Sequence, residues 1–287
     1  MLHGYNPHHR YLPYLSWTEI ADLPDKENTV IVLPTGATEQ HGPHLPCAVD
    51  TVISTGVVGH ALARLPADVP AFAMAPITYG KSEEHLHFPG TVTLSGETLL
   101  ATMNEVGESV YRAGFRKLLF VNGHGGQPQV MEMCARELRL RHGDFIVVPS
   151  FTWRVPHVAG KYLSDTEKKL AMHAGHAETA LMLALAPDTV HMERAVINYP
   201  PVFDSPLLSP DGRPACAWSA RDFGPSGIIG DPLPATAEQG HAILESLAVS
   251  WAAAITELHK LQWAPRAEPT WGRAHHTGHI EHPSALA

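Results

Sequence analysis

Cysteine is scarce and scattered in this 287-residue chain: Cys47, Cys134 and Cys216 lie far apart, and none belongs to a CxxC pair. An odd, dispersed set excludes a disulfide framework and a zinc ribbon, and a cytoplasmic protein is expected. Basic excess is also missing, because 20 Lys and Arg stand against 29 Asp and Glu, a formal charge of −9. Nothing in that balance neutralises phosphates along a duplex or draws the chain to anionic lipid, so neither nucleic acid nor membrane is an expected partner. Apolar runs are short, none approaching the roughly 18 uninterrupted residues of a membrane span. The opening segment MLHGYNPHHRYLPYLSW lacks a charged region followed by an apolar one, so export is not expected. Charged residues make up only 17% against 44% hydrophobic, which allows a sizeable core and excludes disorder. What the chain has in plenty is histidine, 20 residues, as many as Lys and Arg together. Such an excess points to metal or acid–base chemistry without choosing the residues.

Four short apolar runs, Thr29–Leu33, Ala71–Ile77, Lys117–Val121 and Phe145–Val148, are nearly continuous and bounded by turn residues, the pattern of buried parallel strands. Helix-length segments lie between them at Asp50–Leu65, Ser95–Ala113 and Pro128–Arg141. A further helix is expected from about His173 to Pro187 and a long one over Ala235–Gln262. Alternating strand and helix predicts a single-domain three-layer α/β/α fold with a mostly parallel sheet. The domain is placed at residues 1–263. Residues 264–287, rich in His, Pro and Gly, are expected to form a surface strap or a partly disordered tail.

In α/β folds of this kind, ligands collect at the carboxyl ends of strands. Three of the four runs end in polar clusters: Glu39-Gln-His41-Gly-Pro-His44…Asp50, Ser82-Glu-Glu-His85-Leu-His87, and Asn122-Gly-His124-Gly125-Gly126-Gln127. A fourth cluster, His173-Ala-Gly-His176-Ala-Glu178, sits at a helix start. Each alone is compatible with an ordinary turn or helix cap, but four together favour a metal site. Glu39 and His41 are expected to serve different ions, with Asp50 returning between them as a carboxylate shared by two cations. The donor set is N/O without thiolate, which suits zinc or manganese, with iron as a further option. No GxSxG elbow occurs and no cysteine adjoins a clear base, which argues against a Ser or Cys hydrolase.

The string Gly36-Ala-Thr-Glu39-Gln-His41-Gly-Pro-His44-Leu-Pro…Asp50 closely resembles the creatininase family. So do Tyr79-Gly…His85…Phe88-Pro-Gly-Thr91, Asn122-Gly-His124-Gly-Gly, His173-Ala-Gly…Glu178-Thr and Gly227…Gly230-Asp231-Pro232, in the expected order over about residues 12–260. The resemblance implies dinuclear-metal amide hydrolysis in which Glu39, Asp50 and His124 hold one ion while His41, the bridging Asp50 and a further carboxylate hold the other. Creatininase proper follows its Asn-Gly-His with Tyr-Glu-Asn and can use that Glu. Here Gly125-Gly126-Gln127 offers none, and Glu178 is the expected replacement.

The expected reaction is attack of a metal-bridging hydroxide on the C–N bond of a small amide, cyclic or formamide-like. His173 is expected to act as general acid, with Glu178 counted among the catalytic groups. Ser82, His85, Gly125 and His176 are expected to contact substrate. Two other readings remain open: a peptidase of the mycofactocin-maturation type, which shares the Gly-Gly turn, and a noncatalytic ligand-binding relative. The resemblance also implies a homo-oligomer, expected to be a hexamer.

Overall fold

The computed structural model describes residues 2–205, 207–210 and 214–263. The expected tail, 264–287, lies outside them. Four parallel strands form one sheet: β1 Val30–Thr35, β2 Ala71–Ala73, β3 Lys117–Asn122 and β4 Ile146–Phe151, in the order β2-β1-β3-β4. Among the described residues seven α-helices accompany them: α1 Trp17–Ala21, α2 Val49–Leu62, α3 Gly96–Arg112, α4 Pro128–Arg141, α5 Asp165–Leu170, α6 His176–Leu185 and α7 Ala237–Lys260.

Because strand side chains alternate between faces, the near-continuous apolar runs supply two cores at once. Val30, Val32, Leu119 and Val121 turn to one face, where they pack with Ile53, Leu181 and Leu247 of α2, α6 and α7. Ile31, Leu33, Leu118 and Phe120 turn to the other, against Met103 of α3 and Met131 and Leu138 of α4. The three-layer α/β/α architecture expected from the sequence is the one observed.

Two boundaries differ from expectation for physical reasons. The run Ala71–Ile77 keeps strand pairing only to Ala73, because Pro76 has no N–H to give, although Ile77 rejoins β1 through its bond to Pro34 O. The helix expected from His173 begins at His176. His173 instead pairs with Ile229 as an isolated antiparallel bridge, and Ala174 takes a left-handed φ of 55°. The short helix α5, capped by Ser164 at the N–H of Glu167, was not expected at all.

Candidate metal centre

The register of β1 against β3 pairs Thr35 with Asn122, so the loops leaving these strands start at the same level. The β1 loop carries Glu39 and His41 to that level, and the β3 loop carries His124. Asn122 closes its own turn by accepting from His124 N–H (3.0 Å) and donating to His124 O (2.6 Å). Glycine is required here by space: a Cβ on Gly123 would meet the Asp50 carbonyl, and one on Gly126 would meet the Glu84 carboxylate. Asp50 and Glu178 both stand in the first turn of their helices, α2 and α6, where the helix dipole favours a carboxylate.

These loops bring together the metal donors chosen from sequence. Asp50 Oδ1 lies 3.3 Å from His41 Nε2, and Asp50 Oδ2 lies 3.3 Å from His124 Nδ1. Glu39 Oε2 is 3.2 Å from His124 Nδ1. Ligand atoms of His41, His173 and Glu178 lie within 4.8 Å of one another, as do those of Glu39, His41 and Asp50. Glu39, His41, Asp50 and His124 are at most 2% exposed. Yet Glu39 Oε2, His41 Nε2 and Asp50 Oδ2 have no hydrogen-bond partner. Orphaned buried polar atoms of this kind are costly, and three of them converging on one spot fit a site built for cations.

The electrostatics of the metal-free cluster follow from burial set against neighbouring charge. Burial opposes ionisation of Glu39, but His124, His85 and His173 around it hold its carboxyl well below the usual range. Burial opposes protonation of His41 as well. Asp50, Glu178 and Glu39 nevertheless raise it to about 9. His124 is raised well above an ordinary histidine by Glu39 and Asp50, against burial. Burial, with Asp50 nearby, pushes Glu178 up to about 7. Burial takes His85 down to about 4 and His173 well below its ordinary value, with the charge on His41 adding to the effect at His173.

The expected substrate contacts divide. His85 and Gly125 line a cavity of about 810 Å³ over the cluster, and a Cβ on Gly125 would meet nothing within 4 Å. His85 stacks on His173 at 4.3 Å, and its Nδ1 accepts from Gln40 Nε2 at 2.8 Å. His173 lies on the same cavity wall, its Nε2–H donating to Gln40 O at 2.6 Å. Ser82 does not line the cavity: it is buried behind His124, 3.3 Å from Nε2. His176 turns away to Gln239 Oε1 of α7 at 2.8 Å. Sequence reasoning passed over Glu84, whose carboxylate stands 3.5 Å from His124 Nε2, and Gln40, which ties His85, His173 and Gly227 together. The only signals for them were their positions beside histidines already chosen.

Residues 13–255 match the profile of a protein family described as Creatininase: Creatinine amidohydrolase. The mycofactocin precursor peptide peptidase of Mycolicibacterium smegmatis is 35% identical over 221 residues, 76% of this chain and 81% of that one. Creatinine amidohydrolase of Pseudomonas putida is 31% identical over 267 residues, 85% of this chain and 95% of its own. Among solved structures, a manganese creatininase superposes with a TM-score of 0.68 at 30% identity, covering 86% of this chain and 98% of the other. A creatininase variant of Zn–Zn type gives 0.69 at 31%, covering 86% and 97%.

Proposed function

This chain belongs to the creatininase family of hydrolases, and from that premise we infer that it cleaves an amide C–N bond at two divalent cations. The observation that carries this reading is the convergence of unpartnered, buried Glu39, His41 and Asp50 atoms beneath the cavity. Glu39, Asp50 and His124 would hold one cation, and His41, Asp50 and Glu178 the other. Zinc and manganese both suit this donor set. When bound, such a pair lowers the pKa of a coordinated water and polarises the scissile carbonyl.

The chain's own groups handle the protons. His173 Nε2–H is committed to Gln40 O, which leaves the Nδ1 lone pair facing Glu39 Oε1 at 3.7 Å. A neutral imidazole in that tautomer takes a proton from the attacking water at Nδ1 and returns it to the departing nitrogen, which is a poor leaving group unless protonated. His85 and Gly125 form the wall against which the amide lies. Ser82 and His176 support that wall from behind, as partners of His124 and α7.

For the substrate, we place the amide of a short peptide ahead of a small cyclic amide or formamide. The cavity is at the upper end of the size range of ligand pockets, and a lone small ring would leave most of it to water. Aromatic Trp153 and Trp218 on its walls suit an extended ligand, and the identity to the mycofactocin precursor peptide peptidase supports the same reading. The small-amide reading keeps its support from the creatinine amidohydrolase relative. Retention of every expected ligand argues against a noncatalytic relative. The test is chelator-stripped protein reloaded with zinc or manganese and assayed on short peptides, creatinine, cyclic ureides and formamides. Full activity in the stripped protein would overturn the metal reading, and turnover of creatinine but of no peptide would reverse the order of substrates. The hexamer expected from the family is tested by light scattering of the same preparation.

A further inference from the structure

Beside His124, the space that a side chain at position 126 would fill is occupied by a carboxylate from a different part of the chain. Gly126 has no Cβ, and one built there would collide with Glu84 Oε1 and come to 2.5 Å from His124 Nε2. Glu84 reaches this spot from a 3-10 turn, Glu83–His85, that follows the β2 loop. Its side chain is only 15% exposed and lines the same cavity as Glu39 and His124. Ligand atoms of Glu39, Glu84 and His124 lie within 4.8 Å of one another.

Two observations set this carboxylate apart from an ordinary surface acid. First, Lys81, three residues before it, pairs with Glu83 at 2.9 Å, so the cationic group this carboxylate faces at 3.5 Å is His124 of the cluster itself. Second, its role is not that of orienting His124. The Nε2–H of that ring is already taken by Lys81 O at 2.7 Å, and Glu84 at 3.5 Å is beyond hydrogen-bond reach. A half-buried acid brought beside Glu39, whose Oε2 is unpartnered, raises the local negative charge. A divalent cation offsets that repulsion.

We propose that Glu84 is an additional carboxylate ligand of the cation held by Glu39, Asp50 and His124, delivered through the gap that Gly126 leaves open. The proposal rests on the dinuclear reading above and adds a ligand to it.

The experiment is metal analysis of dialysed protein, with zinc affinity measured by competition against a chromophoric chelator. Wild type should carry two ions. Loss of even an outer partner of a metal ligand typically costs 10–100-fold in affinity, so Glu84→Gln, which keeps shape but removes charge, should weaken one of the two ions by about 100-fold or more and leave the other in place. Two ions of wild-type affinity in Glu84→Gln would overturn the proposal while leaving the dinuclear reading intact. A wild-type protein that binds no divalent ion would instead defeat the dinuclear reading itself.

Discussion

Asp50 turns Oδ1 to His41 Nε2 at 3.3 Å, while its other oxygen, 3.3 Å from a second histidine, is left without a hydrogen bond. On the dinuclear reading proposed above, a carboxylate shared in this way would couple two coordination shells through one side chain. Asp50→Ala should therefore remove both ions, whereas His41→Ala should weaken mainly one. Elemental analysis of the two purified variants checks this, and an Asp50→Ala protein with wild-type metal content would refute the bridging role.

Metal binding should release protons, with a sign fixed by the raised values in the cluster. His41, raised to about 9, is protonated in metal-free protein at pH 8, and Glu178, raised to about 7, is then mostly ionised. A ligand must shed its proton to bind a cation, so zinc affinity should rise with pH up to about 9 and fall most steeply below about 7, where both groups hold protons. Calorimetric titration at pH 8 in two buffers of different ionisation enthalpy should show proton release on zinc binding. Glu178→Gln should lose the component that titrates near 7 together with affinity for one ion. Unchanged metal content in that variant would send the search for the carboxylate beside His41 elsewhere.

The reach of sequence reasoning here followed the reach of local pattern. The strands were legible because burial on both faces writes a continuous apolar run, and Glu39, His41, Asp50 and His124 were legible because they lie directly after such runs or at the next helix start. His176 was not, since its sequence neighbours enter the cavity while its own ring, at the first position of α6, swings to Gln239 of a helix 63 residues later. Ser82 similarly ends behind His124, at a depth set by the β2 loop and not by any spacing. Glu84 sits on a 3-10 turn with no periodicity, and only the missing Cβ of Gly126, a fact of space, shows why its carboxylate is there. Helix α5 escaped because six residues are too few to display an apolar stripe.

Close packing of α6 on α7 carries the position of Glu178. A Cβ on Gly240 would run into the Ala180 carbonyl and approach the Ala184 Cβ at 3.0 Å. Gly240→Ala should push the helices apart and cost about 1–3 kcal/mol, the usual penalty of overpacking. Urea denaturation of metal-free protein measures that cost. Because α6 begins two residues before Glu178, zinc affinity should fall alongside stability. A stable variant with normal affinity would show that α6 is not held by this contact.

Catalysis should be separable from metal binding at His173. Its ring is buried in the cluster, pinned by Gln40 O and stacked on His85, and it is held neutral by burial and by the charge on His41. A neutral imidazole can accept the proton of the attacking water and hand it to the departing nitrogen, a service worth roughly 10²–10⁴-fold for a positioned group. His173→Ala should therefore keep metal content near wild type while lowering kcat by about that factor. The loss should depend on the leaving group, since an activated ester departs with little protonation and an anilide does not. Comparison of the two substrates in wild type and variant decides the matter: equal slowing of ester and anilide, or slowing of neither, would remove His173 as the proton carrier. Loss of an ion in the variant would make it a ligand beside His41 and Glu178 instead. His176→Ala supplies the control, because its ring bonds to Gln239 outside the cavity and its removal should not discriminate between ester and anilide.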